Sequence, residues 1–383
     1  MLKDITSSEY FIRTVSSRLI ITLIVILTTS SSSNAEETNS LPSTELSSSS
    51  AKKNQEAPAP MGIHGANMPA KGQLTVTIMP VFGNRSGWLI GTKGVSPPYI
   101  ASTTPTFIPS TTNPTPFMRV VPRNVTESTQ NALVSYGITE NLSTLVTASI
   151  VQKQLYAQTF FGVSGGLPMG GNYIGTKGFS DLTTSGIYKL YEDNNERIQL
   201  SSGFAYPLSS DTSTMSLFLP NATYDIERAH YAFQPGPRTL DLLTGLLYAG
   251  SIDLWSWGMS FHGRFPLAAN PQGWRFGDLK EFSGWIGYTI IPTITSTVRL
   301  TAFTQGAIRG HDPQIKGYAV PTNPNYYGGQ WVQIFGGSTI DGDLIGLKAY
   351  SLEFEAGIPI YQNLNGPQIR NNWEAGAAIK LKL

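Results

Sequence analysis

Residues 254–265, LWSWGMSFHGRF, alternate between two chemical classes. The apolar positions are Trp255, Trp257, Met259, Phe261 and Phe265, and the positions between them are Ser256, Gly258, Ser260, His262 and Arg264. A period of two places these sets on opposite faces of a β-strand, whereas a helix would mix them. The stretch therefore predicts a strand. Its apolar face could meet the core of a soluble sandwich or the acyl chains of a membrane.

Similar segments recur along the chain from residue 73 onward. Twelve strands are predicted, over residues 73–82, 128–137, 142–152, 179–191, 197–206, 238–249, 254–265, 277–289, 294–305, 330–340, 344–358 and 372–383. The span 113–122 is predicted to be loop rather than a thirteenth strand, because its three prolines remove hydrogen-bond donors.

The connections between these strands alternate in length. Short turns are predicted at 139–141, 193–196, 251–253, 291–293 and 341–343, and long loops at 83–127, 153–178, 207–237, 266–276, 306–329 and 359–371. Greek-key sandwiches mix loop lengths at both ends, whereas outer-membrane barrels have short periplasmic turns and long external loops. The sequence therefore predicts an all-β fold, a transmembrane antiparallel β-barrel of about twelve strands.

Charged residues recur on the face opposite the apolar one, which an aqueous lumen tolerates and a packed core does not. Their mixed signs predict internal ion pairs rather than a selective ring of one charge. The candidate lumen-lining residues are Asp181, Lys189, Arg197, Asp241, His262, Arg264, Arg299, Glu353, Glu355, Glu374 and Lys380.

Composition and the first residues add a cellular context. The 383 residues carry a net charge of +1 and no cysteine, which gives no electrostatic reason to bind nucleic acid and excludes disulfides. A basic start, the apolar run 19–27 and Ser33-Asn34-Ala35 predict a signal peptide over 1–35. A disordered periplasmic linker is expected over 36–58, a segment able to plug the barrel over 59–72, and the barrel over 73–383. The expected location is the bacterial outer membrane.

No constellation predicts catalysis, a metal or a cofactor. Ser260 and His262 share a face, but side chains two apart on a strand lie roughly 7 Å from each other, too far for a direct hydrogen bond. Met61, His64 and Met68 could bind copper(I), yet one histidine with two methionines is a thin ligand set. An ordered N-terminal segment that packs against or inside the barrel is the favoured interpretation of these three residues.

Four stretches resemble the outer-membrane transporters of the phenol-degradation (meta-pathway) type. They are PMG through KG at 60–72, GFSDL at 178–182 followed by YKLY at 188–191, TGLLYAGSIDLWSWG at 244–258, and GIPIYQNLNGPQ at 357–368. The resemblance implies an outer-membrane barrel that moves small, often hydrophobic compounds. Asn67 and Pro69 stand where relatives often carry histidine, which argues against a metal role for the opening segment.

The expected function is therefore a channel or transporter for small, hydrophobic or aromatic solutes. The expected partners are outer-membrane lipid, a small-molecule solute and the barrel-assembly machinery, with no nucleic acid. The alternative is a barrel without transport activity, with a structural, adhesive or receptor role carried by the external loops.

Overall fold

A computed structural model describes residues 58–107, 117–162, 165–193, 195–315, 317 and 319–383. The predicted signal peptide, and the predicted linker up to residue 57, lie outside the described residues. Within the described part of the chain, no helix is long and apolar enough to cross a membrane.

Strands dominate the described chain. In order they are β1 Leu74–Gly91, β2 Lys93–Val95, β3 Val120–Gly137, β4 Leu142–Phe161, β5 Leu167–Glu192, β6 Glu196–Ala205, β7 Thr214–Phe218, β8 Tyr224–Arg228, β9 Asp241–Ile252, β10 Trp255–Pro266, β11 Trp274–Arg275, β12 Leu279–Ile291, β13 Ile294–Gln305, β14 Arg309–Gly310, β15 Gly329–Asp341 and β16 Tyr350–Lys382. The helix α1 spans Pro97–Thr103, and single 3-10 turns lie at Tyr231–Phe233, Val320–Thr322, Pro324–Tyr326 and Gly342–Ile345.

The main sheet closes on itself to form a barrel. Twelve elements follow one another in the order β16-β15-β13-β12-β10-β9-β6-β5-β4-β3-β1-β2, and β16 also pairs with β1. Eleven elements thus form the closed wall, and β2 is bonded outside it. Two separate two-stranded sheets, β11-β14 and β7-β8, belong to the connections.

The last element crosses the wall twice. Residues 351–364 pair antiparallel with β15, and residues 364–382 pair antiparallel with β1. An odd number of antiparallel pairings leads around the wall from β15 to β1, so these two strands run in opposite directions. One straight strand cannot be antiparallel to both, so β16 must reverse its direction between them. The wall therefore contains twelve crossings, an even number, as outer-membrane barrels of bacteria have.

The predicted twelve strands are confirmed as these crossings, with two corrections near the end of the chain. The strand predicted at 344–358 begins only at Tyr350, because Gly342–Ile345 form a 3-10 turn that ends at Gly346 with φ 77°. The loop predicted at 359–371 is the paired tip of the final two crossings.

The predicted loops 83–127 and 153–178 are largely wrong, because the strands continue into them. β5 alone has 26 residues, and β3 begins at Val120, inside the span predicted to be loop. Beyond the membrane neither face of a strand meets lipid, so the alternating pattern that revealed the strands disappears although the hydrogen-bonded pairing continues.

The outward face of the wall is an apolar belt. Trp255 and Met259 are about half exposed, at 48% and 50%, whereas the intervening Ser256 is buried. The same alternation appears on β6, where Leu200 is exposed and Gln199 is buried. Large exposed apolar side chains on most strands face the surroundings of the barrel. The apolar face of 254–265 therefore meets lipid and not the core of a soluble sandwich.

The connections at the two ends of the barrel differ. At one end, here the inner end, the strands join through short turns such as those between β9 and β10 and between β12 and β13. At the outer end, α1, the β7-β8 hairpin and the connections around β11 and β14 form a cap. Two of its buried cores are shared with the outer ends of β1, β3, β4 and β5, and one is its own. One core contains Tyr231, Trp274, Ile308 and Ile315, all nearly inaccessible.

Candidate functional site

The segment 58–73 lies inside the barrel near its inner end. Ala59, Ile63 and Ala66 pack with Leu247 and Ala249 of β9 and with Trp285 of β12. Met61 packs on the opposite part of the circumference, against Met79, Leu133 and Ala378 of β1, β3 and β16. Only a segment inside the lumen can reach all of these strands.

Gly62 occupies a position where the segment touches the wall directly. A Cβ at Gly62 would lie 2.3 Å from Arg299 Nη2 and 2.8 Å from Glu355 Oε2. Glycine is therefore required for the segment to lie this close to the buried ion pair.

Polar contacts also fasten the segment. Arg197 Nη2 of β6 donates to Asn67 Oδ1 at 2.9 Å. At the exit from the lumen, the amide of Gly72 donates to the carbonyl of Gly137 at 2.8 Å, and the chain then enters β1. His64 lies near the wall residues His262, Arg299 and Lys380, while Met68 is buried.

The structure joins seven of the eleven predicted lumen residues into three ion-paired groups. Arg299 binds Glu355 through two hydrogen bonds, of 2.9 and 2.6 Å, and lies 4.0 Å from the ring centre of Phe335. Lys380 Nζ lies 2.6 Å from Glu353 Oε1. Arg264 contacts both Asp181 and Asp241 at 2.5 Å.

The other four predicted residues lie apart from these groups. Lys189 pairs with Glu192 at an inner turn, 2.6 Å away. Arg197 holds the inner segment, as described above. His262 on β10 lies opposite Glu281 on β12, and Glu374 lines a small cavity above the segment.

A chamber of about 410 Å³ lies in the outer half of the barrel, between the cap and the inner segment. Two sets of side chains, called here the aromatic wall and the polar wall, line it. The aromatic wall contains Trp88, Tyr231, Phe276, Tyr326, Tyr327 and Trp331, and the polar wall contains Arg85, Glu127, Lys153, Asp181, Asp241 and Arg264. The chamber can thus hold an amphipathic organic molecule of modest size.

The polar atoms of three aromatic residues are already engaged with the protein. Tyr327 donates to the carbonyl of Pro321 at 2.7 Å, Trp88 donates to the carbonyl of Pro122 at 2.7 Å, and Tyr231 accepts from the amide of Asp312. Burial raises the pKa of Tyr231 to about 12 and also raises that of Tyr327, so both rings stay neutral. Trp88 and Tyr231 are buried in the cores of the cap, so they support the lining of the chamber more than they offer it free ring surface.

Lys153 connects the polar wall to the cap. Its Nζ donates to the carbonyl oxygens of Ala232 and Gln234, each at 2.9 Å. Thr176 of β5 donates to the neighbouring carbonyl of Phe233 at 2.6 Å. The connection 229–237 is therefore held against the wall by side chains of two adjacent strands.

A second, smaller cavity of about 130 Å³ lies below the chamber. Arg85 and Glu127 line both spaces, and Val81, Thr129 and Glu374 line only the lower one. The order from the outside is thus cap, chamber, small cavity and inner segment.

Sequence reasoning missed Arg85, Glu127 and Lys153, since all three lie in stretches predicted to be loops. Their positions in the strand alternation could have revealed them. Arg85 falls on the same alternate positions of its strand as inward-facing Val81, and Lys153 falls on the same ones as buried Val151 and Leu155. Extending the predicted strands outward would have placed them in the lumen. The aromatic residues of the cap had no comparable signal.

No cluster of three or more histidine, aspartate or glutamate side chains suited to a metal ion occurs among the described residues. Met61 packs in an apolar cluster with Met79, Leu133 and Ala378, on the side of the lumen opposite Ile63.

Comparison with known structures identifies the architecture. An outer-membrane channel from Pseudomonas putida F1 is similar with a TM-score of 0.51 and 10% identity, over 83% of this chain and 97% of that one. A Pseudomonas aeruginosa FadL homologue has a TM-score of 0.39 and 8% identity, over 82% and 92%. The toluene transporter TbuX from Ralstonia pickettii has a TM-score of 0.37 and 10% identity, over 82% and 90%.

Neither protein-family models nor curated protein sequences gave a match. The likeness to the Pseudomonas putida channel shows that the chain has the fold of an outer-membrane barrel, which confirms the predicted fold class. The resemblance to the phenol-degradation type remains a prediction.

Proposed function

We propose that the chain is an outer-membrane channel for small hydrophobic or aromatic solutes, of the phenol-degradation transporter type. The observation that carries this function is the chamber, which lies within the wall of the barrel and combines six aromatic side chains with paired charges. The exposed apolar belt supports the location in lipid.

The charges of the chamber favour neutral solutes over ions. Arg264 is matched by Asp181 and Asp241, and Arg85 lies 3.5 Å from Glu127. A pore that selects ions carries a ring of one sign, which this lining lacks among its described residues. The predicted lumen-lining residues act in this proposal as a braced, nearly neutral wall.

The inner segment 58–73 closes the path on the periplasmic side. Twelve strands give a lumen between that of eight-stranded barrels, which side chains fill, and that of sixteen-stranded porins, which water fills. A segment that touches β1, β3, β9, β12 and β16 takes up the space that such a lumen offers. Passage then requires this segment to move.

Uptake by whole cells tests the function, because the outer membrane itself is the barrier. Gram-negative cells that carry the chain in their outer membrane should take up labelled toluene several times faster than cells with an empty vector. Cells with a chain lacking 36–72 should exceed both. Equal initial rates of toluene uptake in all three strains would contradict a channel function, provided that the two strains with the protein contain folded barrel.

The second function is that of a receptor or adhesin, and the packing of the cap favours it. The cap contains three buried cores, so its outer surface is a defined shape rather than a set of loose loops. This function predicts no solute uptake and loss of cell or ligand attachment when 207–237 is shortened.

A further inference from the structure

A polar surface lies directly above the apolar belt, on the outward faces of β4 and β5. On β4 the belt ends at Ile150, which is 47% exposed, and the outward positions beyond it are polar. Six residues, called here the rim surface, pair across the two strands as Gln152 with Lys177, Gln154 with Gly175 and Tyr156 with Tyr173. The three pairs follow one another outward from the edge of the belt.

Gly175 leaves a gap in the middle of the rim surface. A Cβ at this position would have no atom closer than 3.6 Å, so the space above the backbone is open. Tyr173 and Lys177 border the gap on the same strand, and four residues of strand place them about 13 Å apart. Tyr173 is 83% exposed and leans on the ring of Tyr156 at 5.0 Å. A ring-shaped polar ligand can therefore lie over Gly175 and against Tyr173.

The amides beside this gap are free to bind a ligand. The side chains of Gln152 and Gln154 are exposed, and their amides form no hydrogen bond within the described chain. An amide offers both donors and acceptors, as the hydroxyl groups of a sugar do. Sugar hydroxyls can therefore replace the water that these two amides otherwise bind.

The charges around the rim surface have one sign. Lys177 lies at its inner edge, and Arg123 lies at its outer edge, where it donates to Gln158. Neither cation forms an ion pair with another described residue. The acidic residues of this part of the wall, Glu127 and Asp181, line the chamber instead. The outward face is thus complementary to an anion.

We infer that the rim surface binds a phosphorylated sugar of lipopolysaccharide, with the sugar ring over Gly175 against Tyr173 and the phosphate on Lys177. Lipopolysaccharide is the source because the surface begins where the apolar belt ends, at the depth of the outer leaflet's headgroups, and those headgroups are phosphorylated sugars in the outer membrane. The inference rests on the outer-membrane location in the proposed function but not on transport.

Native mass spectrometry of the refolded full chain in detergent measures this binding by counting the barrels that carry one molecule of rough lipopolysaccharide. Lys177→Gln and Tyr173→Ala should each raise the Kd about fivefold to tenfold, because each removes one contact to the headgroup. Tyr173→Phe keeps the ring and should bind as the natural chain does. Gly175→Val changes no charge and clashes with nothing in the wall, yet it fills the gap and should also raise the Kd.

Lys348→Gln is the matched control for charge, since Lys348 is an exposed lysine at the inner end of the barrel. The inference is overturned if this variant weakens binding as much as Lys177→Gln, which would indicate general attraction between charges. It is also overturned if Gly175→Val and Tyr173→Ala leave the Kd unchanged. Phosphatidylglycerol that binds as tightly as lipopolysaccharide, and is lost in the same variants, would show recognition of a lipid phosphate without its sugar.

Toluene uptake separates this inference from the channel function. Because the rim surface faces away from the chamber, Lys177→Gln and Gly175→Val should leave the uptake rate of the natural chain unchanged. A chain that binds lipopolysaccharide at the rim surface but takes up no toluene would refute the channel and not the binding site. A chain that takes up toluene but forms no complex with lipopolysaccharide would refute the binding site alone.

Discussion

The contact between Gly62 and the Arg299–Glu355 pair gives the sharpest prediction about the inner segment. Gly62→Ala adds a single carbon, which would lie 2.3 Å from Arg299 Nη2 and 2.7 Å from Arg299 Cζ. Arg299 cannot swing aside cheaply, because it is bonded twice to Glu355 and once to Thr301 and lies over the ring of Phe335. The segment must therefore shift.

The size of the effect follows from the cost of overpacking. Adding a carbon to a closely packed site typically costs about 1–3 kcal/mol. If that cost destabilises the segment in its position inside the lumen, the fraction of molecules whose segment has moved away rises about fivefold to 150-fold. The barrel wall, whose hydrogen-bonded pairing does not depend on Gly62, should remain folded.

Single-channel recording in planar lipid bilayers measures this change as an increase in open probability. Gly94→Ala is the matched control, since Gly94 lies in β2, outside the closed wall, with no atom within 4 Å of its added Cβ. If Gly62→Ala leaves the open probability unchanged and deletion of 36–72 raises it, the contact at Gly62 does not hold the segment in place, although the segment still closes the channel.

Three further predictions concern the wall and the cap. Glu355→Leu should destabilise the barrel by about 3–5 kcal/mol, because it leaves Arg299 buried without its partner. In thermal unfolding, adding Arg299→Met should restore most of that loss of stability. A Glu355→Leu variant as stable as the natural chain would contradict this. Burial lowers the pKa of His230 to about 3, so the folded cap keeps it neutral while the opened cap protonates it near pH 6.5. Cap stability should then fall by about 1.4 kcal/mol per pH unit as pH drops from about 6.5 toward 3, and His230→Phe should remove that part of the acid sensitivity in limited proteolysis. Lys153→Met should free the carbonyl of Ala232 and speed proteolysis of 229–237, with unchanged cleavage arguing against the contact as a restraint.

The sequence predicted the wall of the barrel well because lipid imposes a simple rule on it. Wherever one face of a strand meets acyl chains, apolar and polar residues alternate, as in 254–265, and the period of two locates the strand. The short inner turns were predictable for a related reason, since little chain separates adjacent patterned segments. Where the strands leave the membrane, as β5 does toward Leu167, the pattern ended before the strand did.

The chamber could be predicted only in part. Asp181, Asp241 and Arg264 were assigned to the lumen by parity, but their meeting depends on the register of β5, β6, β9 and β10, which the pattern does not specify. The aromatic wall comes largely from cap residues such as Tyr231 and Tyr327, whose positions depend on long-range packing and on Lys153. No local period encodes such contacts.

Conductance of the refolded barrel with and without 36–72 tests the central claim most directly, namely that this is a channel closed from the inside by its own segment. The chain that keeps 36–72 should show rare or no openings, and the chain that lacks it should show frequent discrete steps of conductance. Equal conductance of the two folded proteins, whether both open or both silent, would contradict it.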